Sequence, residues 1–307
     1  PFGIFSILYA IFKLRNITPN KDIKLDIFSL ILSSLGFGGL LYGFSSVGDF
    51  GWTSSHVIIA ITIGFLALVI FVVRQLKMDD PMLDFAVYKF PMFALSSIIS
   101  VTISASMFSG MLLTPLYVQT VREISPFYSG ILMLPGAIVM GIMSPITGRL
   151  FDKYGAKALA IIGLSILVVT TYLLSFLTME DSYFYLMTLY TTRMFGMSLV
   201  MMPVMTNGLN ELPMRMNPHG TAMNNTLQQV SGAIGSAILL TIMTKHSETV
   251  GIALQKQAAE GKTFEFDIEL LAMLEGINHT FFISTIFALI ALLLALFIRR
   301  PNIPNIH

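Results

Sequence analysis

The sequence predicts an all-α polytopic membrane protein, and three observations carry the prediction. Hydrophobic residues make up 55% of the 307 and charged residues 11%, well short of the ~25% charge found in soluble globular domains. Eight apolar runs follow one another along the chain, each near the ~20 residues that cross a bilayer. Threaded alternately, these runs sort the 18 Lys and Arg unevenly: thirteen fall on one face, four (Arg122, Lys245, Lys256, Lys262) on the other, and Arg193 lies within a span. Basic residues gather on the cytoplasmic side of membrane proteins, so the crowded face is the inner one.

In order, the chain opens at Pro1 inside an apolar run that ends near Phe12, about half of the ~20 residues a span needs. It reads as the remnant of a span, since a signal peptide would show a charged leading region and a cleavage site. Lys13, Arg15, Lys21 and Lys24 then mark emergence on the inner face. Complete spans are expected over Leu25–Ser46, Val57–Val73, Met92–Tyr117, Gly130–Ile146, Ala158–Leu177, Tyr183–Met205, Ala222–Met243 and Thr280–Ile298. Residues 13–91 thus hold two linking spans and, from Asp79 to Pro91, a polar and aromatic segment that either lies along the inner interface or is a plain linker. Residues 92–307 hold six spans. The outer connection Thr244–His279 repeats apolar residues at near-helical spacing in Ile268, Leu271, Leu274 and Ile277, which predicts a short amphipathic helix over the outer face, with a solvated loop as the alternative.

Between the fourth and fifth complete spans lies a charged stretch, Gly148 to Lys157. Its Arg149, Asp152, Lys153 and Lys157 cannot sit in hydrocarbon, so the stretch is a water-exposed reversal. Gly148 and Gly155 permit a tight turn, and Asp152 can accept bonds from a helix N-terminus or pair with an Arg. It acts either as a latch, Asp152 pairing in one conformational state only, or as a fixed topological signal.

The spans differ in what they tolerate beside them. Ala158–Leu177 and Thr280–Ile298 are plain enough to accept lipid all round. Gly130–Ile146 carries Pro135, Gly136 and Pro145, Tyr183–Met205 carries Arg193 and Pro203, and Ala222–Met243 carries Asn225, Gln228 and Gln229. Polar and helix-breaking residues at membrane depth are tolerated against protein or a water-filled cavity, so these three spans face one or the other. The prolines and Gly136 are hinge candidates. Gly39 and Gly43 form a small-xxx-small pair that favours close helix packing. From Met92 onward the six spans form two groups of three, each ending in its most apolar member, the order an inverted repeat produces.

Arg193 is either a group of the substrate cavity or an Arg snorkelling to the outer surface. Asn207, Asn225, Gln228 and Gln229 can hydrogen-bond a ligand or neighbouring helices. Met133 and Met201, among 20 methionines, offer an adaptable binding surface or ordinary filling. Cys is absent, which excludes a disulfide framework, a thiolate metal site and a cysteine nucleophile. Net charge +1 gives a nucleic-acid partner no support. No His-Glu-x-x-His, Gly-x-Ser-x-Gly or Walker pattern points to an intramembrane enzyme, and no filter-like repeat points to a channel.

Several stretches together resemble the fourteen-spanner drug:proton antiporters of the major facilitator superfamily. The charged stretch Gly148–Lys157 is similar to that superfamily's inner-loop signature, with Ala156 where a basic residue is usual. Further likeness lies in Leu41, Tyr42, Gly43, Gly51 and Trp52; in Tyr117, Val118 and Gln119 with Ser129 to Gly136; and in Met202 to Gly208 with His219 to Gln229. The resemblance implies a major facilitator fold and proton-coupled export of small hydrophobic or cationic drug-like molecules by alternating access. It implies no cofactor, the proton gradient supplying the energy. It further implies that residues 1–12 end a sixth span, that two linking spans follow, and that 92–307 form the C-terminal six-helix bundle. A missing N-terminal six-helix half would carry the coupling acid, because none of the 17 acidic residues lies mid-span. A chain lacking that half is expected to transport nothing alone. A same-fold exporter of a lipid, amino acid or osmolyte stays open as the alternative.

Overall fold

The computed structural model describes residues 26–78 and 81–299. The expected half-span Pro1 to Phe12, the basic cluster Lys13 to Lys24, Asp79 and Arg300 lie outside them. The described chain is helical, with α1 (Ile27–Ser45), a single turn α2 (Val47–Phe50), α3 (Ser55–Gln75), α4 (Pro91–Leu116), α5 (Pro126–Leu173), α6 (Tyr183–Ser198), α7 (Met201–Leu209), α8 (Asn217–Ala259) and α9 (Ile268–Ala295).

Helices α1 and α3 form a close pair through the glycines singled out above. A Cβ on Gly39 would lie 2.9 Å from Gly64 Cα, and one on Gly64 would lie 2.6 Å from Leu40 N, so the backbones touch. Such contact replaces the hydrophobic drive that lipid cannot supply between apolar helices. Their inner ends are tied by polar groups. Asp26 caps α1 through Ser29 and pairs with Arg74 at 3.0 Å, while Gln75 donates to Ser29 Oγ at 2.9 Å.

The described part of the Asp79–Pro91 segment is packed. Val87, in a short 3-10 turn (Phe85–Lys89), is buried with Phe93, Leu212, Met216 and Met223. Gln75 accepts from Leu83 N at 3.1 Å, and His219 Nδ1 lies 3.0 Å from Met82 O. Helix α4 then starts on Pro91, where a missing N–H costs nothing, and the Glu211 carboxylate accepts from Met92 N (2.6 Å) and Phe93 N (3.2 Å). Its far end widens into a π turn (Tyr117–Val121), with Arg122 N bonded to Tyr117 O at 3.1 Å.

Helix α5 is one continuous run of 48 residues except at Gly155, where φ is 77° and ψ 170°. Only glycine adopts that region readily. The contacts show a reversal there. Tyr183 Oη donates to Tyr128 O, Gly136 lies against Tyr190 and Met194, and Gly148 lies against Met202, so residues 126–154 run alongside α6 and α7 in the same direction. Gly163 meets Gly196 and Leu199, whereas Thr171 meets Arg193, so residues 156–173 run the opposite way. The expected loop from Gly148 to Lys157 is therefore mostly helix. Gly148 is helical, and Gly155 alone makes the turn.

Tyr183–Met205 is broken at Leu199 and Val200, between α6 and α7. Pro203 explains the position: proline removes the bond to the carbonyl four residues back, that of Leu199, and its ring crowds that carbonyl. Among the described residues six helices are long and apolar enough to cross a membrane. With α5 counted as two and α6–α7 as a broken span, eight crossings result.

The outer connection differs from its expected form. Helix α8 does not end near Met243 but continues to Ala259, and α9 begins at Ile268. At 43 residues α8 is about 65 Å long, roughly twice the hydrocarbon thickness. Two spans extended into water form a hairpin in place of a separate covering helix. The two plain spans are also not lipid-facing all round. Residues 156–173 bury Ala160, Leu164 and Leu167, and α9 buries Phe281, Ala288, Ala291 and Ala295, while Ile162, Val169, Leu289 and Leu293 remain exposed. Uniform hydrophobicity hides the stripe that packs.

Candidate functional site

Arg193 sits on α6 between two apolar clusters, one including Leu132, Tyr190 and Phe281, the other Ile103, Leu164 and Met197. Its exposure is 0%, so it does not snorkel. Nη2 donates to the backbone carbonyl of Ser106 at 2.5 Å and Nε to Thr171 Oγ1 at 3.3 Å, while Nη1 has no partner. Beside it, Ser284 Oγ lies 2.6 Å from Ser109 Oγ and 3.2 Å from Ser106 Oγ, joining α9 to α4. Gly110 completes the nest, since a Cβ there would overlap the guanidinium.

No carboxylate reaches this cation; among the described residues the one ion pair is Arg74 with Asp26. A charge held by a carbonyl and a hydroxyl in a buried interior is expensive. The sequence located Arg193, but not Ser106, Ser109, Gly110, Thr171 or Ser284. The run Ser96, Ser97, Ser100, Ser104, Ser106 and Ser109, all buried, was the available signal, hydroxyls crowded onto an otherwise apolar span.

The other expected cavity residues divide. Asn207 is buried, and its Nδ2 donates to Arg299 O at 3.2 Å, a tie between α7 and the end of α9. Met133 packs on the first cluster and Met201 on the second, as filling. Asn225 and Gln229 are exposed on α8 and Gln228 half-buried. Arg193 and the Asn225–Gln229 stretch thus do not converge on one cavity. Among the hinge candidates, Gly136 is buried against Tyr190 and Met194, and Pro135 and Pro145 are carried within helical backbone. Pro203 stands at the observed break.

On the inner reversal Arg149, Asp152, Lys153 and Lys157 are exposed. Lys153 Nζ lies 5.1 Å over the Tyr154 ring. Asp152 has no ion-pair partner among the described residues.

Comparison with known proteins agrees with this architecture. The family model described as Major Facilitator Superfamily matches residues 27–236. The Lincomycin resistance protein LmrB of Listeria monocytogenes is 42% identical over 98% of this chain and 63% of its own length. The MFS-type transporter YcnB of Bacillus subtilis is 41% identical over 99% of this chain and 61% of its own. The chain therefore spans about three fifths of these relatives. Among solved structures, a bacterial homologue of the human lysosomal transporter Spinster, inward-facing and unoccupied, superposes with a TM-score of 0.52 at 13% identity, covering 86% of this chain and 67% of that one.

Proposed function

The chain belongs to the major facilitator superfamily and is a multi-pass protein of the bacterial plasma membrane, and from that premise we propose that it exports small hydrophobic or amphipathic drugs in exchange for protons. The likeness to a lincomycin resistance protein over 98% of the chain carries this reading. In it, residues 92–299 are the C-terminal bundle, α1 and α3 the linking pair, and a second six-span half the partner across the transport path.

The geometry supplies two kinds of part. Exposed Asn225 and Gln229 lie open for cargo, because amides at membrane depth with no internal partner can bond a ligand. Buried Arg193 fixes α4, residues 156–173 and α6 to one another, so that the bundle moves as a body. Asp152 is the inner latch: it has no ion-pair partner among the described residues, and it pairs with an adjoining helix end in the outward-facing state. Coupling requires an acid at membrane depth, and the partner half provides it.

Everted vesicles test this. With the chain joined to the six-span half that precedes it, lincomycin accumulation is expected on energisation and is lost with a protonophore. The chain alone should accumulate none. Protonophore-sensitive uptake of an osmolyte or amino acid, with no drug uptake, would replace the drug reading by the metabolite one.

A further inference from the structure

A groove of about 520 Å3 runs along the inner half of α3, away from the cargo-facing helices. Its lining includes Phe28 of α1 with Val69, Ile70, Val73, Arg74 and Lys77 at the inner end of α3. Phe28, Val69, Ile70 and Val73 are exposed, and α3 packs chiefly on α1. The threading of the spans puts Arg74 and Lys77 on the inner face. From Lys77 to Val69 the helix rises about 12 Å, close to the ~15 Å of hydrocarbon in one leaflet. The groove thus has a cationic rim at the inner surface and an apolar floor leading toward the bilayer centre.

The rim is held in place. Arg74 Nε donates to Asp26 Oδ2 at 3.1 Å and to Ser29 Oγ at 3.2 Å, and Nη2 donates to Asp26 Oδ2 at 3.0 Å. The Arg74 Cζ lies 5.2 Å over the Phe28 ring. These contacts fix the guanidinium and leave Nη1 without a hydrogen bond among the described residues. Lys77 is exposed and has no ion-pair partner among the described residues. Asp26 balances one of the two cations, so the rim keeps a single net positive charge.

We propose that this groove binds one anionic phospholipid of the inner leaflet, its phosphate between Arg74 and Lys77 and an acyl chain laid over Phe28, Val73, Ile70 and Val69. Basic pockets at the cytoplasmic ends of transmembrane helices suit anionic headgroups, and a guanidinium already oriented by other bonds loses little freedom in taking a phosphate oxygen. One phosphodiester charge matches the rim, whereas the ammonium of a zwitterionic lipid would meet Lys77. A free phosphate would gain nothing from the apolar floor. The site needs no transport, so it stands independently of the export reading.

Native mass spectrometry of the chain released from detergent counts retained lipid directly. With phosphatidylglycerol, one molecule per chain is expected to remain under conditions that strip phosphatidylcholine of the same acyl chains. Lys77→Gln leaves the Arg74–Asp26 pair in place and should weaken retention about fivefold, the worth of one basic residue beside an anionic headgroup. Val73→Trp, which fills the apolar floor and leaves every charge unchanged, should abolish it. Lys153→Gln combined with Lys157→Gln removes more charge from the same face of the membrane and should change nothing.

Retention undiminished in Lys77→Gln, or weakened equally by the Lys153 and Lys157 substitutions, would overturn the proposal, because attraction would then belong to the basic face as a whole. Equal retention of phosphatidylcholine would do the same. Displacement by inorganic phosphate would show an anion site without a lipid. Loss of retention when the preceding six-span half is joined would show that protein, not lipid, fills the groove.

Discussion

Two arginines show how differently this chain places positive charge. Arg74, at the inner end of α3, is 41% exposed and has Asp26 at 3.0 Å. Arg193, in the bundle, is fully buried and has a carbonyl, a hydroxyl and no carboxylate. The pair stands where water already stabilises both ions, so its net contribution is small. The unpaired charge stands where it costs most. A charge so placed, with two hydrogen bonds and no carboxylate among the described residues, is a weak source of stability.

Arg193→Leu tests that contrast hardest. If Arg193 served folding, its loss would lower stability. If it serves transport, relief of the desolvated charge offsets the two hydrogen bonds lost with it, stability stays within about 1 kcal/mol of the parent, and drug efflux is lost. Denaturation in detergent and vesicle efflux, measured on the same variant, separate the two. Lower stability with unchanged efflux would make Arg193 a packing residue.

Gly110→Ala sharpens the same point. The methyl would overlap the guanidinium, and overpacking of this kind costs about 1–3 kcal/mol. In an Arg193→Leu background the obstacle is gone, and the cost should fall below about 1 kcal/mol. Equal costs in both backgrounds would mean that Gly110 answers to the helix backbone and not to the arginine.

How much of this was legible beforehand depends on which atoms do the work. The spans announced themselves as apolar runs, and Arg193 as a charge among them. Its principal acceptor is the main-chain carbonyl of Ser106, which no side-chain pattern reports. The α8 extension was missed because Thr244 to Ala259 is polar on most sides, and a helix in water has no apolar stripe to display. Gly148 and Gly155 look alike in sequence, but only Gly155 has a positive φ. Nothing local distinguishes them until the packing of Gly148 beside Met202 and of Gly163 beside Gly196 sets where the chain turns back.

Gly155→Ala should therefore cost about 1–3 kcal/mol through the disfavoured backbone alone. Gly148→Ala, in helical backbone with Met202 Cε 3.7 Å from the new methyl, should be neutral or slightly stabilising. The two variants differ only in position, so comparing their unfolding midpoints tests the single-residue turn directly. Equal effects would return the reversal to a longer loop.

The smallest expected effect belongs to the paired arginine. Hydrogen bonds from the Ser29 hydroxyl and backbone, with Arg74 adding a bond and a charge, hold the Asp26 carboxyl below its usual 3.8 despite partial desolvation. A carboxyl with a lowered folded-state pKa binds fewer protons folded than unfolded. Stability then rises with pH through that interval and is flat above the unfolded value. The contribution of Asp26 is thus complete at neutral pH and is lost only as acid takes the medium below about pH 4. Asp26→Asn keeps a capping oxygen and removes the charge, so it should lower the unfolding midpoint slightly at pH 7, with the difference shrinking as the pH falls below about 4. A difference between variant and parent that does not shrink in acid would show that it originates in the changed hydrogen-bonding group and not in the charge paired with Arg74.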